Sequence, residues 1–202
     1  MSVLVRSAVV VGALIAVACG RAPSDGRAWT VTPLDSPAVE RSGQPQITVS
    51  GDRAILSWIE RSGRTATLKF ADRTGDGWSE PRTVASGDDW FVNWADVPSV
   101  IRLADRSLVA HWLQKSGPGT YAYDVRLAFS KDEGRTWSSS VTPHHDGTQT
   151  EHGFASLFQA PDNGLSLVWL DGRHMSGGHG DGHAGHGPGA MTLRAATFDP
   201  AG

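Results

Sequence analysis

The amino-acid sequence predicts an all-β chain built from a repeated antiparallel sheet. Three observations carry that prediction. Tryptophans recur at corresponding places: Trp58, Trp112 and Trp169 are spaced by 54 and 57 residues, and Trp78 and Trp137 by 59. Short alternating or β-rich runs surround them, punctuated by the Gly, Asp and Asn residues that turn a chain tightly. No stretch of useful length beyond the N-terminal apolar run repeats its apolar residues at the helical period. Four short strands in a unit of about 50 residues is the pattern of a β-propeller blade.

The first unit, Gln44–Val84, predicts strands over Gln46–Ser50, Ala54–Glu60, Thr67–Asp72 and Arg82–Ala85. The second, Val97–Pro143, predicts Ser99–Leu103, Leu108–Gln114, Val125–Ser130 and Ser139–Thr142. The third, from Phe154, predicts Ala155–Gln159, Leu165–Leu170 and Leu193–Phe198, then stops one strand short. The blades thus span 44–85, 97–143 and 154–202, the last incomplete. Closed propellers take about 4–8 blades. The sequence therefore predicts a partial β-propeller: the N-terminal part of a chain about twice as long, or a chain that self-associates to close a ring. Within a 19–43 linker, Gly26–Pro33 echoes Gly134–Pro143 and is expected to supply a ring-closing strand.

Residues 1–18 predict an export signal. Arg6 precedes an apolar run, Ala8–Val17, too short to span a bilayer comfortably. The sole cysteine follows at Ala16-Val17-Ala18-Cys19, which resembles a bacterial lipobox. Acylation of Cys19 would anchor the exported chain to a membrane; the alternative is a plain signal peptide with an incidental Cys. A single cysteine excludes an internal disulfide framework and Cys-rich zinc modules. With 18 Lys and Arg against 21 Asp and Glu, a net charge of −3, the chain lacks the basic excess that meets a nucleic-acid backbone.

Ser130-Lys131-Asp132-Glu133-Gly134-Arg135-Thr136-Trp137 reads S-x-D-x-G-x-T-W. It resembles the Asp box of the bacterial neuraminidase repeat, shared by sialidases and related propellers; Thr74–Trp78 looks like a degenerate copy. The local chemistry is structural. The Asp132 carboxylate caps backbone N–H groups, Gly134 supplies a left-handed position and Trp137 packs between sheets, with Ser130 and Thr136 completing the turn. The resemblance covers about residues 44–202 and implies a six-bladed sialidase-like propeller. Exo-α-sialidase activity would need an arginine clamp for the sugar carboxylate, a carboxylate-polarised Tyr nucleophile and a separate acid/base carboxylic acid. The family's Arg-Ile-Pro motif has no counterpart: the corresponding positions read Arg41-Ser42-Gly43-Gln44-Pro45 and Asp96-Val97-Pro98. Trp169-Leu170-Asp171-Gly172-Arg173 resembles the Glu-Gly-Arg that ends a strand in many members, but in the third unit rather than the first.

In a four-stranded meander, the loops between second and third strands share one face with the crossovers between blades. That face collects the acids, aromatics, His and Arg of this sequence, and a glycan or small-molecule ligand is expected there. The candidates are Asp96 and Glu151 as acid/base carboxylates and Arg173 as anion clamp; the alternative is that Asp171 and Arg173 form a strand-end turn and ion pair while Trp90 and Trp94 pack between blades. Trp94 is the expected sugar-stacking platform, with Asn93, Tyr121, Tyr123, His152 and Asp171 as further ligand-binding residues. The Gly-rich run 174–189 holds His174, His179, His183 and His186, four of the eight histidines. Imidazoles on so pliable a chain would bind metal adventitiously, and no resident cofactor is expected. Three function classes stay open: a lipid-anchored sialidase-like hydrolase, a non-catalytic envelope propeller that binds a glycan or a protein, and an envelope protein that binds metal through the His-rich run.

Overall fold

The computed structural model describes residues 30–75, 77–160, 164–175 and 190–198. Cys19, Asp76, His179, His183 and His186, and residues 26–29 of the ring-closing segment, lie outside the described residues. The fold set out below is that of the compact unit beginning at Leu34.

Ten strands and no helix make up the described residues. The first sheet contains β1 (Ser42–Ser50), β2 (Arg53–Ser62), β3 (Thr65–Asp72) and β4 (Arg82–Gly87), in that order and antiparallel throughout. The second contains β5 (Ser99–Arg102), β6 (Leu108–Lys115) and β7 (Tyr123–Ser130), and the third β8 (His152–Gln159), β9 (Leu165–Asp171) and β10 (Thr192–Phe198). Successive meanders stacked face to face form an all-β partial propeller.

The expected second-blade strand at Ser139–Thr142 reduces to a single bridge, in which Val141 and Leu127 exchange both backbone hydrogen bonds. Its serines spend their hydroxyls locally instead. Ser138 Oγ bonds Ser139 O and receives Phe129 N–H, and Ser140 Oγ receives Arg126. Such side-chain bonds compete with a ladder. The innermost strands β1 and β8 begin earlier than the alternation suggests. Each crosses a bulge, with Gln44 (φ 50°) and Phe154 (φ 50°) in left-handed conformations that break the period.

The core follows from period-two alternation. On β6, Leu108, Ala110 and Trp112 face the first sheet, packing with Ile55, Ile59, Leu68 and Phe70. Val109 and Leu113 face the third sheet, packing with Leu165 and with Leu167 and Trp169. The middle sheet is thus apolar on both faces.

An ion network crosses from blade one to blade two. Arg102 on β5, its side chain 4% exposed, donates to Asp72 Oδ1 at 2.7 Å and to Glu133 Oε2 at 2.9 Å. Arg82 on β4 pairs with the other Asp72 oxygen, and Arg106 with Glu133 at 2.7 Å. Glu133 belongs to the Ser130–Trp137 turn, where Asp132 accepts from Thr136 N (2.9 Å), Thr136 Oγ1 (2.7 Å) and Arg135 N (3.1 Å). Those donors, with Ser130, hold the Asp132 carboxyl down at about 2. Trp137 meets Phe70 of blade one edge to face at 6.1 Å.

Candidate functional site

Four connections knit together at one end of the second and third sheets. Phe91 N bonds Leu113 O and Lys115 N bonds Asp89 O, tying the crossover between blades one and two to the end of β6. Tyr123 N bonds Thr150 O, and Gly172 N bonds Glu151 O, tying the crossover between blades two and three to β7 and to the end of β9. Every residue singled out in the sequence for ligand binding or catalysis sits on these connections or on the strand ends they meet.

Two clusters result. In the first, Asn93 makes an Asx turn: its Oδ1 accepts from Ala95 N (2.6 Å) and Asp96 N (2.9 Å), while its Nδ2 donates to Asp96 Oδ2 at 2.7 Å. The other Asp96 oxygen receives Phe154 N at 2.6 Å. Tyr123, 1% exposed, donates its hydroxyl to Glu151 Oε1 at 2.7 Å and stacks on Phe91 at 3.9 Å. Burial, then the Glu151 contact and the charge of Asp96, push the Tyr123 phenol well above its ordinary range, so it stays protonated. Gly153 lies between the two groups: a Cβ there would stand 2.8 Å from the Tyr123 ring and 2.9 Å from Asp96 Oδ1. Asp96, Tyr123 and Glu151 are therefore brought together, all buried. Trp94 projects from the same turn at 89% exposure, and Tyr121 is exposed on the neighbouring loop.

The second cluster is centred on His152, fully buried. Its ring stacks on His144 at 3.8 Å. Asp124 Oδ1 lies 3.2 Å from His152 Nδ1 and 3.7 Å from His144 Nε2. On the opposite edge of the rings, Asp146 Oδ2 lies 3.0 Å from His144 Nδ1 and 3.2 Å from His152 Nε2. Burial alone would depress the His152 pKa, but Asp124, Asp146 and Asp171 outweigh it and raise it; His144 is held low by burial and by His152. Arg173 is spoken for. It grips Asp171 bidentately at 2.7 and 2.6 Å and reaches Asp146 at 3.1 Å, and Trp169 Nε1 also donates to Asp171 at 3.0 Å. The structure thus separates Arg173 from the Asp96–Tyr123–Glu151 group and pairs it with Asp171. His174 is exposed, 3.4 Å from Arg194.

A third feature went unnoticed in the sequence. The innermost strands converge on a cleft of about 310 Å³ lined by Gln46, Thr48, Ser99, His111, Phe154 and Ser156, among others. Ser99 Oγ and His111 Nδ1 stand 3.0 Å apart, and the His111 pKa falls to about 4 because the ring is buried, a backbone bond with Val97 opposing only partly. The unfolded chain binds a proton at this ring near pH 6.5, and the folded chain only near pH 4. Stability held above the higher value is lost as pH falls toward the lower. Between pH 7 and pH 4 the protein should lose roughly 2–3 kcal/mol more unfolding free energy than His111→Gln. Urea titrations of both proteins across that range check this, and parallel curves would refute it.

No protein-family model matches the chain, and no curated protein is significantly similar to it. Solved structures share its fold. A protein of unknown function from Dyadobacter fermentans aligns with 80% of this chain and 52% of its own at 11% identity and a TM-score of 0.53. An endo-arabinase (78% and 56% covered, 13% identity, TM-score 0.48) and an endo-1,4-beta-xylanase (71% and 52%, 17%, 0.46), both from Bacteroides thetaiotaomicron, are also similar. The likeness is one of fold. The chain spans about half the length of these solved structures.

Proposed function

We propose that this chain belongs to an exported, sialidase-like propeller that binds glycans without hydrolysing them. One observation carries the reading: Trp94 offers an indole at 89% exposure, directly beside the Asn93–Asp96 turn. An exposed aromatic plate suits a sugar, whose C–H face stacks on it. The groups a hydrolase would use support the non-catalytic side. Asp96 is buried and bonded to Asn93 and Phe154, and Arg173 is neutralised by two carboxylates. Acylation at Cys19 belongs to the same reading and would hold the propeller at a bacterial membrane.

The test is a glycan array probed with the full chain, followed by calorimetry on the strongest ligand. Trp94→Ala should weaken that binding about tenfold, the worth of one aromatic stacking contact. An array without retained glycans, or unchanged binding by the variant, overturns the reading. Turnover of a fluorogenic sialoside above blank overturns it in favour of the hydrolase; the Tyr123–Glu151 pair at 2.7 Å is what favours that second reading.

A further inference from the structure

We propose that His144 and His152, held between Asp124 and Asp146, form a one-proton clasp that fastens the crossover between blades two and three and opens in both acid and alkali. The clasp is independent of the glycan reading. The two rings stack at 3.8 Å with their planes 16° apart. Carboxylate oxygens close both edges of the stack. Asp124 Oδ1 lies 3.2 Å from His152 Nδ1 and 3.7 Å from His144 Nε2. Asp146 Oδ2 lies 3.0 Å from His144 Nδ1 and 3.2 Å from His152 Nε2. All four ring nitrogens thus face a carboxylate.

A ring nitrogen without hydrogen presents a lone pair, which repels a carboxylate. Hydrogens on all four would make both rings cations, stacked 3.8 Å apart. The distances select three. The 3.7 Å separation at His144 Nε2 is the longest of the four and too long for a hydrogen bond, which places the bare nitrogen there. His152 is then an imidazolium and His144 a neutral ring with its hydrogen on Nδ1.

The charges packed around His152 agree with that count. Asp171 of β9 lies 3.8 Å from His152 Nε2, and it is met in turn by Arg173 at 2.6 Å and by Arg194 of β10 at 3.4 Å. Three carboxylates, two guanidiniums and one imidazolium make the cluster neutral, so a proton gained or lost leaves net charge in an enclosed place. Burial opposes the charge on His152, but Asp124, Asp146 and Asp171 raise its pKa above 6.5; burial and the charge of His152 hold His144 below 6.5. The raised ring stabilises the closed clasp below pH 6.5 and ceases to as pH climbs through its own pKa. The lowered ring does the reverse as pH falls. The clasp is therefore tightest between the two.

Two backbone bonds report on it. Tyr123 N–H donates to Thr150 O at 3.2 Å and Gly172 N–H to Glu151 O at 2.8 Å, pinning the crossover to β7 and to the end of β9. Glu151 also takes the Tyr123 hydroxyl, so opening the crossover withdraws that carboxylate from the phenol.

The experiment is amide hydrogen exchange by NMR on the full chain from pH 5 to pH 9. Protection at Tyr123 and Gly172 is taken relative to Leu127, whose N–H bonds Val141 O farther along β7. Relative protection should peak and then fall on each side, by up to about tenfold per pH unit for the one proton exchanged. His144→Gln keeps a donor for Asp146 but takes up no proton, so it should abolish the acid limb and leave the alkaline one. The ring carbons of the parent protein give a second measurement that needs no variant: His152 should titrate above pH 6.5 and His144 below it. Flat relative protection, an acid limb that survives His144→Gln, or two rings titrating on the same side of 6.5 overturns the clasp.

Discussion

Replacing Arg102 with Met should lower the unfolding free energy by about 3 kcal/mol, the lower end of the range for breaking a buried ion pair from one side. Arg102 is the hinge of charge between blades one and two. Its guanidinium serves Asp72 from the first sheet and Glu133 from the turn that follows β7. Methionine fills much of the same volume, so the loss is electrostatic and not a cavity. Arg82 still pairs with Asp72 in the variant, which keeps the loss from reaching the top of that range. Chemical denaturation checks this, and Arg102→Met with Asp72→Asn should lose less than the sum of the two single losses, because both substitutions break the same pair. A double variant less stable than the sum of the singles would refute the account.

Gly134→Ala should cost about 2–5 kcal/mol from two additive sources. Gly134 has φ +81°, a left-handed backbone that an alanine adopts only at a cost of about 1–2 kcal/mol. Its new Cβ would also stand 2.4 Å from Phe70 Cζ and 3.2 Å from Leu108 Cδ1, an overpacking worth about 1–3 kcal/mol. Phe70→Leu in the same chain relieves the second source but not the first. Thermal unfolding of the two singles and the double should therefore show partial compensation. If Gly134→Ala is as stable as the parent, the turn does not press on the neighbouring blade as described.

The sheets were readable because they obey local rules. Alternation along Leu108–Gln114 and along Leu165–Leu170 announces strands, and the Ser130–Trp137 turn announces itself by residue type at fixed spacing. The bulges before Gln46 and Ser156 were not readable, since Gln44 and Phe154 are not residues that advertise a left-handed backbone. The aromatic and acidic content of the loop face was likewise visible, but its division into two clusters was not. Arg173 reads in the sequence as an anion clamp or as a strand-end ion pair with Asp171, and the structure takes the second: its position two residues after Asp171 lets the turn fold it back onto that carboxylate. The His144–His152 stack was missed for a tertiary reason. Asp124 lies on β7, His144 in the crossover and His152 on β8, and only the packing of blade three on blade two brings them together. The signal available was a pair of histidines flanking Asp146 in the crossover, outweighed by the denser histidines of the Gly-rich run.

The two-faced apolar character of β6 has a consequence for pairing fidelity. In a sheet with one wet side, a slip of one residue turns every apolar side chain into solvent, and water enforces the alignment. Here a slip would only exchange the set formed by Leu108, Ala110 and Trp112 with the set formed by Val109, His111 and Leu113, both of them enclosed. Water is nearly indifferent between the two alignments, so shape and the preceding turn must choose. The turn is well made for it. Leu103 and Ser107 are bonded across it, Arg106 takes a left-handed conformation (φ 73°), and Asp105 locks Ser107 through both backbone and hydroxyl. At the far end, Trp112 lies against Trp90 at 5.1 Å, a seat too large for valine or leucine to fill. The alignment of the middle sheet is thus written at its two ends, in the Leu103–Ser107 turn and one indole, while the strand between them would accept either phase.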